Sequence, residues 1–148
     1  MKKNEKITFS FDTGIKEYQV NDGGFIRFNP SDPNLYHRFK KLTGWLSGLE
    51  GEVKEKSANV ADGSEMVELL SDYDRRLKEK LAYVFGAQND FDAIFEGVNI
   101  MAISRSGEMV ITNFLNALRP VIEDGVKAYA KMQAQKAVEE ANRERDGE

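Results

Sequence analysis

The densest collection of groups able to do chemistry lies in FNPSDPNLYHRF, residues 28–39, where the chain's only histidine, His37, stands near Asn29, Ser31, Asp32, Asn34 and Tyr36. An imidazole in such company can act as a general base if it has a hydrogen-bonded partner and a pocket, or as a metal ligand if further ligands follow at fixed spacing. Neither accompanies His37. Leu35 and Phe39 open an apolar helical stripe, and His37 falls about 200° around the helix from Leu35, on the side of Arg38, Lys40 and Lys41. The expectation is a surface histidine at a junction between strand and helix. Asn29-Pro30 turns the chain, Ser31 or Asp32 caps the helix, and Pro33 occupies its first turn.

Carboxylates recur in pairs, Asp72 with Asp74 and Asp90 with Asp92. Paired acids serve acid–base chemistry or a hard cation, but helical residues two apart face different sides, so Asp72 and Asp74 are expected on a solvated face and Asp90 as a helix cap. Gly23-Gly24 leads into a strand and lacks the helix N-terminus of a phosphate cradle. No G-x-S-x-G elbow accompanies any serine. Arg38, Lys40 and Lys41 beside Tyr36 and Trp45 read as a solvated helix face over an aromatic core. No catalytic, cofactor-binding or metal-ligating residue is therefore assigned, and the expectation is a protein that is not an enzyme and carries no cofactor.

The elements that would position these residues belong to a chain of 148 residues, enough for one domain that buries about 70% of its unfolded surface. Hydrophobic residues make up 41% and charged residues 31%, with a net charge of −4. A pI near 5.2 disfavours a nucleic-acid partner, because phosphate binding needs a basic surface. The absence of cysteine excludes disulfides and thiolate sites and suits the cytoplasm. MKKNEKITFSF has no apolar core of signal-peptide length, and no run approaches the roughly 20 apolar residues of a membrane span. The expectation is a soluble protein without a membrane partner.

The predicted fold class is α+β. ITFSF (7–11), IKEYQV (15–20) and FIRF (25–28), separated by Asp12-Thr13-Gly14 and Asn21-Asp22-Gly23-Gly24, read as a three-stranded antiparallel β-meander within residues 1–30. Leu35, Phe39, Leu42, Leu46 and Leu49 then mark a helix that ends near Glu50, and residues 50–63 read as a charged connection. Ser64 is the expected cap of a second long helix carrying Met66, Leu69, Leu70, Tyr73, Leu77, Leu81, Val84 and Phe85, closed by Gly86. A short helix from Asp90 to Phe95 and the apolar connection 98–101 follow. The last long helix carries apolar residues from Val110 to Met132, with a kink or break expected at Pro120. Residues 31–132 form the helical part of a single domain, and 133–148 read as a charged, fraying helical tail.

The order of these features resembles a known family. A β start leads into F-N-P-S-D-P-N-L-Y-x-R-F, a long helix ends in L-A-Y-V-F-G, and F-D-A-I-F-E-G-V-N-I-M and F-L-N-A-L-R-P-V-I follow before a charged tail. The series is similar to the tail assembly chaperones and related small tail proteins of long-tailed phages and prophages of Gram-positive bacteria. The resemblance implies a non-enzymatic protein of the bacterial host cytoplasm that binds the tape measure protein and keeps it soluble until subunits of the tail tube protein, a further candidate partner, assemble around it. It also implies that a longer, frameshifted form is made in some members.

Amphipathic helices suit such a client, and Leu69, Tyr73, Leu77, Phe114, Leu118, Tyr129 and Met132 are the candidate partner-binding residues, each also a candidate for the domain's own core. Self-association is a further expectation. The competing readings are a structural component of the tail or connector, and a small host-directed regulatory protein or an enzyme built on unfamiliar residues.

Overall fold

In the computed structural model, which describes residues 5–59 and 63–147, regular structure begins with an antiparallel hairpin of β1 (Lys16–Val20) and β2 (Gly24–Phe28). Asn21, at φ 51°, takes the left-handed conformation that a tight hairpin turn requires. Tyr18 pairs with Ile26 and Lys16 with Phe28, so alternation places Tyr18, Val20, Ile26 and Phe28 on one side, while Phe25, opposite Gln19, is exposed on the other. Ile26 and Phe28 are buried, and Tyr18 stacks on Phe28 at 5.0 Å between ring centroids.

The sheet has two strands, not the three expected. ITFSF has no strand partner among the described residues, and Ile7, Phe9 and Phe11 are 90%, 81% and 73% exposed. Alternation in a sequence selects a face but not a neighbour; the neighbour is set by the turn. Here the turn is fastened elsewhere. Gly14 N–H donates to Asp12 Oδ1 at 2.8 Å, and Asn29, just past β2, donates from Nδ2 to the Thr13 carbonyl at 2.9 Å.

Four helices follow: α1 (Pro33–Ala58), α2 (Gly63–Phe85), α3 (Phe91–Ile94) and α4 (Val110–Asp146). The junction is built as its sequence predicts, with Asp32 accepting from Asn34 N–H at 3.0 Å and Pro33 opening α1. Leu35, Phe39, Leu42, Leu46 and Leu49 are the buried residues of α1.

The helix does not end near Glu50, however, and runs on through most of the expected connection; the rest of that connection, residues 60–62, lies outside the described residues. Lys, Glu and Ala are good helix formers. The extension is also held from α2, where the Tyr73 hydroxyl donates to Glu52 Oε1 at 2.9 Å and Val53 packs on the core.

Ser64 lies inside α2, which starts one residue earlier, and Gly86, at φ 111°, closes that helix as expected. Asp90 caps α3 by accepting from Ala93 N–H at 3.1 Å.

The α4 helix passes through Pro120 without a break. Pro120 and Asn116, whose carbonyl loses its donor, are both exposed, so water can satisfy that carbonyl. No side chain caps the start of α4. The backbone donors of Val110 and Ile111 instead bond to the carbonyls of Ala102 and Ile100, each at 2.9 Å. The predicted apolar connection thus serves as a docking strap, anchored by its own buried Ile100 and Met101.

The buried residues form one cluster reaching from the hairpin through all four helices. At its centre, Phe85 meets Phe28, Phe91 and Phe114, and Phe95 crosses Phe114 edge to face at 4.8 Å. Inside α4, Gly125 is buried where the Pro30 carbonyl approaches so closely that any Cβ would overlap it. Among the described residues, no helix is long and apolar enough to cross a membrane.

Candidate partner-binding surface

The residue types able to do chemistry are dispersed by the fold. His37 is exposed on the outer side of α1, as its spacing predicts. Arg38 lies 4.8 Å from the Tyr83 ring centroid and Lys40 5.2 Å from that of Tyr36, so both cations cover aromatic faces. Lys80 covers Trp45 in the same way at 4.4 Å. Among the described residues, no three His, Cys, Asp or Glu side chains are grouped to hold a metal ion.

Asp72 and Asp74 do diverge. Asp72 pairs with Arg75 at 2.7 Å and Arg76 at 3.1 Å on the open side of α2. Asp74 does not share that solvated face: it accepts from the Ile100 backbone at 2.8 Å and pairs with Lys78 at 2.9 Å, fixing the strap that carries α4. Lys78 also reaches Asp92 at 2.8 Å, which ties α2 to α3. Partial burial opposes the charge on Lys78, but the hydrogen bonds to Asp92 and Asp74 outweigh it and raise its pKa above 10.5. Glu52 is shifted the other way, below 4.5, first by its hydrogen bond from Lys56 and then by that from Tyr73. These charges join helices.

Asn89, the buried polar residue of the core, has the same character. Its Oδ1 accepts from Arg27 N–H at 2.8 Å, and its Nδ2 donates to the carbonyls of Arg27 and Phe85, each at 3.0 Å. Its role has no signal in the sequence, because a lone Asn in a loop carries no pattern that announces a distant backbone partner.

Apolar exposure is what remains. Of the seven candidates, Tyr73, Leu77, Phe114 and Leu118 are buried in the core and Leu69 is half-buried, so these five do not form a free face. Tyr129 and Met132 are exposed, at 44% and 58%. They stand at the root of an arm: from Lys127 to Asp146 every residue of α4 is exposed, a projection of about 30 Å at 1.5 Å per residue. The arm also exposes Val138. Over the charged helical tail expected at residues 133–148, α4 runs as one helix as far as Asp146.

The exposed N-terminal segment joins the arm at its root. A groove of about 490 Å³ is lined by Thr13 and Ile15 from the connector, Phe28, Leu35 and Arg38 from the body, and Tyr129 from α4. The alternation of Ile7, Phe9, Phe11 and Ile15 predicts sheet residues but carries no signal of their exposure. The arrangement suits contact with another protein chain, through apolar side chains surrounded by charge. No protein-family model, curated protein or solved structure matches this chain.

Proposed function

We propose that this protein is a tail assembly chaperone that binds the tape measure protein of a long-tailed phage or prophage by apolar contact, without catalysis, in the cytoplasm of the bacterial host. The observation that carries the reading is the α4 arm, whose exposed Tyr129, Met132 and Val138 project beyond the last core contact of the helix at Gly125. A client rich in long apolar helical stripes is covered by such helices, while the charged residues between Lys131 and Arg145 keep the complex dispersed. The ordered landmarks FNPSDPNLYHRF, FEGVNIM and FLNALRPVI support the same family.

Co-expression with a long helical tape measure protein tests the proposal. The client is expected to stay soluble with this chain and to precipitate with a variant carrying Tyr129→Ser, Met132→Ser and Val138→Ser. A client equally insoluble with and without the chain overturns the reading. Recovery of the protein in purified particles favours a structural tail or connector component instead, since a chaperone leaves before maturation.

A further inference from the structure

The two edges of the hairpin differ. In an antiparallel pair, residues alternate between those that bond to the neighbouring strand and those whose N–H and C=O point outward. Arg27 points outward, because both its backbone groups bond to Asn89. Its partner Glu17, and Gln19 two residues on, therefore turn their N–H and C=O away from β2, toward the opposite edge. Among the described residues, no backbone group meets them there. The chain thus closes one edge of its sheet with a buried side chain and leaves the other open.

The same chain carries an unpaired strand sequence of matching pattern. Setting Ile7–Phe11 antiparallel to β1 with Ser10 opposite Glu17 places Phe9 against Tyr18 and Ile7 against Val20 on the apolar side. Thr8 and Ser10 then face Gln19 and Glu17 on the polar side. A groove of about 340 Å³ lies beside Val20, lined by Val110, Phe114 and Ala117 of α4, and can take the Ile7 end of an added strand. The segment is kept off its own β1 by the bond from Asn29 to Thr13, which fastens the connector on the β2 side of the hairpin.

We propose that residues Ile7–Phe11 of each protein add as a third strand to the β1 edge of a second copy, so that two chains exchange strands in a closed dimer. Donor and acceptor reside on one chain, so reciprocal exchange uses both at once and closes the assembly at two copies, with the short added strand as the new edge of each sheet. Covering one Ile and two Phe side chains removes on the order of 400 Å² of apolar surface per strand. Two strands and the acceptor faces they cover bring the total to on the order of 1,600 Å², the size of a stable interface. The exchange uses the β1 edge, Ile7–Phe11 and the groove at the start of α4, and is independent of the client and of the α4 arm.

The absence of cysteine makes the test direct. Residues opposite one another at a hydrogen-bonded position lie about 5.5 Å apart between Cα atoms, within disulfide reach. Full-length Ser10→Cys and Glu17→Cys variants, each checked for native circular dichroism, are mixed and oxidised. A covalent heterodimer, identified by mass, is expected, together with sedimentation of the wild type as a dimer and of Gln19→Pro as a monomer. Proline at 19 removes an outward N–H and spares the β1–β2 ladder. The proposal is overturned if the mixture gives no heterodimer, if the doubly substituted chain forms only an internal bridge, or if the wild type is monomeric at all concentrations.

Discussion

Asn89 holds the backbone of Arg27 with both ends of its amide, at 2.8 Å from Oδ1 and 3.0 Å from Nδ2, across 62 residues of chain. The side chain stands where a neighbouring strand would stand. It couples the exit of α2 to the middle of β2, since Nδ2 also reaches the Phe85 carbonyl at 3.0 Å. One residue thereby fixes the hairpin on the helices and decides which edge of the sheet is available.

Replacing Asn89 by Ala leaves the Arg27 N–H and the carbonyls of Arg27 and Phe85 without this partner in a site where water is largely excluded. The expected loss is about 2–3 kcal/mol, read from the urea midpoint at unchanged slope. Faster hydrogen exchange at Arg27 should accompany it. A variant as stable as the wild type would show that water replaces the amide.

What could be read from residue order was periodicity and punctuation. The Leu35-to-Leu49 stripe, the outward His37 and the caps at Asp32 and Asp90 depend on neighbours within a few residues, and local spacing determines them. The third strand depended on where the turn at Thr13 is fastened, and its fastening residue, Asn29, is 16 positions away. The length of α1 depended on Tyr73 reaching Glu52, and the role of Asp74 on the Ile100 amide 26 positions on. Five of the seven candidate surface residues take the core role for a related reason: an amphipathic stripe shows which side of a helix is apolar, and the domain's own core claims most of it.

Two glycines in helices should respond oppositely to alanine. At Gly48 no atom outside the helix lies within 4 Å of an added Cβ, so Gly48→Ala should stabilise the protein by about 0.5–1 kcal/mol through helix propensity. At Gly125 the same methyl overlaps the Pro30 carbonyl, and Gly125→Ala should destabilise by about 1–3 kcal/mol despite its better propensity. Thermal midpoints moving in the same direction would contradict the close crossing of α4 and the strand-to-helix junction.

Lys78 pairs with Asp74 on its own helix and with Asp92 of α3, and its side chain is 16% exposed. Lys78→Met leaves the two carboxylates facing each other, with an expected loss of about 1–2 kcal/mol at pH 7, between the values for exposed and buried pairs. The raised pKa of Lys78 means that its contribution is present below pH 10.5 and is lost as pH rises through the folded value. The difference between wild type and variant should therefore shrink in strong alkali. A difference unchanged there would mean that packing, not charge, sets it.

The α4 arm contributes exposed side chains and no buried ones beyond Gly125. A stop after Met132 should accordingly change unfolding free energy by no more than about 0.5 kcal/mol. Helical circular dichroism should fall in proportion to the residues removed. A loss of several kcal/mol would reveal that the arm folds back on the body or packs against another copy.

Glu52 should set part of the acid limb of stability. Its folded pKa lies below 4.5 because Lys56 and then Tyr73 bond to the carboxylate, so the contribution is complete above pH 4.5 and is lost as pH falls through the folded value. Glu52→Gln keeps an acceptor for the Tyr73 hydroxyl but removes the charge. It should be less stable than the wild type at pH 7, by an amount that vanishes once the wild-type carboxyl is protonated. Tyr73→Phe keeps the charge and removes one donor, and should cost about 0.5–1.5 kcal/mol at pH 7. Hydrogen exchange in residues 52–58 should quicken in both variants, because that end of α1 has few other attachments to α2. Urea midpoints from pH 7 to pH 3 separate the two effects. A constant gap between Glu52→Gln and the wild type over that range would show that the carboxylate is not held by its partners in solution.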